Sequence, residues 1–77
     1  MATILVADDE AKMRKILTLA LMEEGHEILE AKDGEEALEI IQKTSLSLVI
    51  TDLRMPGGGG MAVLNAVKGI PHYIPVI

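Results

Sequence analysis

The 77-residue sequence predicts an α/β domain built on a parallel sheet, and two observations carry that expectation. Two apolar runs, "TILVA" at 3–7 and "LSLVIT" at 46–51, are unbroken rather than alternating, as in strands covered on both faces. Stretches of helical periodicity lie between the apolar segments, so the order reads β-α-β-α-β-α-β. Connections of this kind are right-handed and put helices on both faces of the sheet.

Taken in order, 3–7 is the first strand and ends in Asp8, Asp9 and Glu10. From Glu10 to Glu24, the residues Met13, Ile16, Leu17, Ala20 and Leu21 follow an i, i+3, i+4, i+7, i+8 stripe, which predicts a helix with that face inward. Gly25 stands where a C′ glycine belongs. "HEILEA" at 26–31 reads as the second strand. Asp33 is a suitable N-cap for a second helix at 35–43, with Glu36 three residues on as in a capping box, and Ala37, Leu38 and Ile41 on its apolar face. The third strand, 46–51, runs into Asp52. After the four glycines at 57–60, Met61, Val63, Leu64 and Val67 outline a short helix that ends near Gly69. "PHY" at 71–73 turns the chain into "IPVI", the start of a fourth strand.

Composition narrows the functional classes. The chain is long enough for one small domain, which buries only about 60 % of its unfolded surface. Its apolar fraction of 49 % supplies a core, and that core is aliphatic because Phe and Trp are absent. A net charge of −5 argues against direct binding to nucleic acid or an anionic membrane. No cysteine is present, and no apolar stretch nears the ~20 residues a membrane span needs. The opening lacks the basic region of a signal peptide, so a cytoplasmic location is expected.

In open parallel sheets, ligands bind beyond the carboxyl ends of the strands where the strand order reverses. If the first and third strands are neighbours there, Asp8, Asp9 and Asp52 meet in one crevice. Such a cluster takes up a proton or binds a cation. Oxygen donors with room for water suit Mg2+, whereas zinc is disfavoured without cysteine and with His26 and His72 far away in sequence. A carboxylate beside Mg2+ is a competent nucleophile towards phosphorus. Aspartates at strand ends also serve as helix caps or solvated turn residues, and that plainer reading stands for any one of them alone.

With these motifs in place, "ILVADDE" and "VITDLRMPG", separated by two amphipathic helices, resemble the receiver domain of two-component response regulators from residue 3 to residue 77. The resemblance implies a flavodoxin-like sheet of strand order 2-1-3-4. It makes Asp52 the phosphoacceptor, Asp9 a direct Mg2+ ligand, Asp8 a ligand acting mainly through water, and the backbone carbonyl of Arg54 a further ligand. It also implies a sensor histidine kinase as partner. The first helix, carrying Lys12, Arg14 and Lys15 on a solvated face, is where such domains often meet the kinase.

Two departures from the family pattern matter. Gly58 and Gly59 stand where receivers usually have Met and a helix-capping Asp, a loss of about 1 kcal/mol, and the 57–60 loop is expected to be mobile. The glycines lack the Lys and Ser/Thr of a phosphate-binding P-loop. Measured against the family, residues 1–77 read as a single partial receiver without the fourth helix, fifth strand and fifth helix. The resemblance then implies slow phosphorylation, and an apolar "IPVI" edge open to self-association. Two competing readings follow: a self-associating assembly module that does not take phosphate, and an Asp-based phosphatase or phosphotransferase. The second is weakened because Arg54 stands where those enzymes usually place a second Asp. Pro56 is read as fixing the turn after the site, His26 and His72 as surface residues, and Met13, Met22 and Met61 as gap-filling core.

Overall fold

A computed structural model describes residues 2–52, 59–69 and 75–77. The elements are β1 (Thr3–Ala7), α1 (Ala11–Glu23), β2 (Glu27–Ala31), α2 (Gly34–Lys43), β3 (Leu48–Thr51) and α3 (Gly59–Lys68). The expected order is found, and the strands form one parallel sheet, β2-β1-β3. Val76 adds a parallel bridge to Val49, with Val49 N–H donating to Pro75 O at 2.9 Å and Ile77 N–H donating to Val49 O at 2.9 Å. Among the described residues the sheet thus has three strands, and the bridge at Val76 lies beside β3, on the side where the expected fourth strand would join.

Central β1 is buried on both faces, as its unbroken apolar run requires. Leu5 and Ala7 join Ala31, Val49, Ala37 and Ile41 of α2 and Val63 and Val67 of α3 in one aliphatic cluster. Ile4 and Val6, alternating with them, point to the opposite face, where α1 lies. Helices thus cover both faces, as expected.

The local signals in the sequence act as their chemistry dictates. Gly25 takes φ +87° after α1, its N–H donating to Met22 O while His26 N–H donates to Leu21 O, which closes a Schellman motif. Asp33 Oδ1 accepts from Glu36 N–H at 2.8 Å at the start of α2. Glu36 Oε1 reciprocates by accepting from Lys32 N–H at 3.0 Å, one residue before the cap.

Three expectations about the helices require correction. The face of α1 turned inward is Arg14, Leu17, Thr18 and Leu21, while Met13, Ile16 and Ala20 of the expected stripe are exposed. Apolar residues surround most of this helix, so periodicity alone did not single out the buried side. The three methionines read as core filler are also exposed: Met13 by 44 %, Met22 by 55 % and Met61 by 59 %. Along α3 the expected Val63 and Val67 are buried and Leu64 is half-buried, on the side that meets α2, so Met61 alone leaves the expected set. Gly59 and Gly60 belong to α3 rather than to a mobile loop, and Gly59 starts the helix at φ +63°, where a side chain would be strained. Arg54, Pro56, Gly57, Gly58, His72 and the 71–73 turn lie outside the described residues.

Candidate metal centre

Parallel register builds the site. Ala7 pairs with Thr51 across β1 and β3, so the next residues, Asp8 and Asp52, leave the sheet at the same level. The backbone holds both there: Asp52 N–H donates to Ala7 O at 2.9 Å, and Asp8 N–H donates to Ala31 O of β2 at 3.0 Å. Strands in a sheet run about 5 Å apart, so equal level means close approach. One carboxylate oxygen from each of Asp8, Asp9 and Asp52 lies within 4.8 Å of the others. None of the three is buried.

Asp8 has a second duty. Its Oδ1 accepts from Glu10 N–H at 2.9 Å, shaping the turn into α1. The plainer reading of a strand-end aspartate is therefore partly true of Asp8, but it does not account for three acids meeting. At a separation of about 5 Å and an effective dielectric near 20, each pair repels by roughly 3 kcal/mol before solvent screening. An all-oxygen donor set of few carboxylates, open to water, fits Mg2+. Neither does the described histidine supply a softer donor. His26 is half-buried at the other end of β1, and its Nδ1 accepts from Ala2 N–H at 3.1 Å, so it is not the free surface residue expected. Arg54, whose main-chain carbonyl the resemblance adds to the ligand set, lies outside the described residues.

Sequence reasoning missed one neighbour of the site. Arg14 does not lie on a solvated face with Lys12 and Lys15; its side chain is only 20 % exposed. Its Nη1 donates to Asp8 O at 2.8 Å and its Nε donates to Glu30 Oε1 at 3.0 Å. A basic side chain one turn into the helix after the acidic pair was the available signal.

An open α/β sheet whose adjacent parallel strands end in three converging carboxylates defines a domain with a candidate divalent-cation site. Residues 4–77 match the response regulator receiver domain family, and the chain belongs to it. Among its relatives is Response regulator RR06 of Streptococcus pneumoniae, 45 % identical over 74 residues that cover 96 % of this chain and 34 % of the relative. The chemotaxis response regulator CheY4 of Vibrio cholerae superposes with a TM-score of 0.93 at 32 % identity, over 99 % of this chain and 65 % of that one. Response regulator protein TrrA of Thermotoga maritima, solved with Mg2+ and BeF, gives a TM-score of 0.82 at 44 % identity, over 88 % and 59 % of the two chains. TrrA has also been solved in complex with the histidine kinase ThkA; that match has a TM-score of 0.88 at 39 % identity, over 99 % and 66 % of the two chains. The chain thus spans about a third of RR06. The fold is the flavodoxin-like receiver fold, and among the described residues no helix is long and apolar enough to cross a membrane.

Proposed function

We propose that this chain is a cytoplasmic phosphoacceptor in which Asp52 receives a phosphoryl group from the phosphohistidine of a sensor histidine kinase, with Mg2+ held by Asp8, Asp9 and Asp52. The observation that carries this reading is the meeting of three carboxylates, one oxygen of each within 4.8 Å of the others, beyond the ends of two adjacent parallel strands. The relatives support it, since TrrA has been solved with Mg2+ and BeF and with a histidine kinase.

When bound, the cation supplies positive charge for the phosphoryl oxygens. The chain does the rest. An Asp52 carboxylate oxygen attacks phosphorus, and the new O–P bond forms as the P–N bond to the donor imidazole breaks. The ring leaves with the electron pair, and an acyl phosphate remains on Asp52. A carboxylate has no proton to lose, so no general base is needed. Asp8 and Asp9 stay as fixed anionic donors, and the Asp52 main chain, tied to Ala7 O, holds the nucleophile against the sheet.

The test uses acetyl phosphate as donor with Mg2+ and reads intact mass. A phosphoryl adduct, stable in acid and labile in base, is expected in wild type and absent from Asp52→Asn or with EDTA. Mg2+ binding without an adduct would overturn the phosphoacceptor reading and favour the competing proposal of an assembly module, whose self-association light scattering would then detect.

A further inference from the structure

We propose that Arg14 is a positioning residue for the acidic crevice, itself held in place by Glu30. Asp8 is tied at three points: its N–H donates to Ala31 O, its Oδ1 accepts from Glu10 N–H, and its main-chain O accepts from Arg14 Nη1. Two of these ties are local consequences of strand and turn. The third comes from a side chain on α1, and Nε of that same guanidinium donates to Glu30 Oε1 on β2. One planar fork thus joins the end of β1, the first turns of α1 and β2. Arg14 N–H also donates to Glu10 O at 3.0 Å, so the residue closes the first turn of α1 over the loop that carries Asp9.

Two opposite consequences of Arg14 can be weighed. A guanidinium bonded to the main chain of Asp8 places positive charge beside the crevice, which by itself lowers affinity for a cation. Holding the Asp8 carbonyl presets where the Asp8 and Asp9 carboxylates stand, which raises it. The 2.8 Å bond to Asp8 O, made by a side chain only 20 % exposed, makes the positional effect the larger one, and the 3.0 Å contact with Glu30, itself 39 % exposed, adds less.

The positioning role rests on the crevice holding a divalent cation, and the measurement separates the two claims. Mg2+ is titrated calorimetrically into wild type, Arg14→Ala, Arg14→Lys, Glu30→Ala and the double variant, with far-UV circular dichroism confirming the fold at the working temperature. Arg14→Ala is expected to weaken Mg2+ binding about 10-fold, the usual effect of removing a group that orients a ligand. Arg14→Lys restores part of it by keeping one donor, and Glu30→Ala shows a smaller loss that adds nothing in the double variant. Unchanged or tighter binding in a folded Arg14→Ala protein overturns the positioning role. Wild type that fails to bind Mg2+ overturns the metal reading instead.

Discussion

Asp9→Asn should stabilise the protein without Mg2+ and destabilise it, relative to wild type, with Mg2+. The substitution keeps the shape of the side chain and removes one of three like charges whose nearest oxygens lie within 4.8 Å. Two repulsive pairs disappear, each worth roughly 3 kcal/mol at an effective dielectric of 20. Asp9 faces solvent, and screening reduces measured effects of exposed pairs to about 1 kcal/mol or less each. The expected gain in EDTA is therefore at most about 2 kcal/mol, or roughly 4–8 °C in Tm for each kcal/mol in a domain of this size. Saturating cation reverses the order, because wild type at a hundredfold excess over Kd gains about 2.7 kcal/mol, while a variant whose affinity falls about 100-fold with the lost ligand gains only about 0.4 kcal/mol. Urea unfolding with and without Mg2+ reads both quantities, and the slope m should not change. Added NaCl should shrink the difference seen in EDTA. A variant no more stable than wild type in EDTA, with equal response to Mg2+, would refute the claim that mutual repulsion of these carboxylates is relieved by a shared cation.

Two further substitutions test the fold around the site. Thr18 on α1 is buried, with 6 % of its surface exposed, and its Oγ1 has no hydrogen-bond partner among the described residues. Thr18→Val replaces the hydroxyl by a methyl group of similar size and should stabilise by about 1 kcal/mol in urea unfolding; a loss of that size would mean the hydroxyl is satisfied. Gly25→Ala meets no atom within 4 Å, so its cost comes only from φ +87°. It should lower stability by about 1 kcal/mol and leave Mg2+ binding unchanged, as calorimetry would show.

Much of this receiver domain is legible in its residues. "TILVA" and "LSLVIT", each ended by acid, announce buried parallel strands and a crevice beyond them, because an unbroken apolar run needs cover on both faces. Gly25, Asp33 and Glu36 mark helix ends through short-range hydrogen bonding that the local chain alone decides. The capping signals act within a few residues and hold, whereas the run at 46–51 holds in part: β3 spans Leu48–Thr51, and of its residues only Val49 is buried.

What only the tertiary structure decided are matters of register and rotation. Ala7 had to face Thr51 before Asp8 and Asp52 could meet, and that pairing joins residues distant in sequence. The inward side of α1 was decided by the sheet beneath it: Arg14 and Thr18 turn in, and Met13, Ile16 and Met22 remain exposed. Apolar residues around nearly the whole helix leave several rotations similar in burial. The bonds from Arg14 to Glu30 and to Asp8 O distinguish among them, and such bonds exist only once β1, β2 and α1 are packed together.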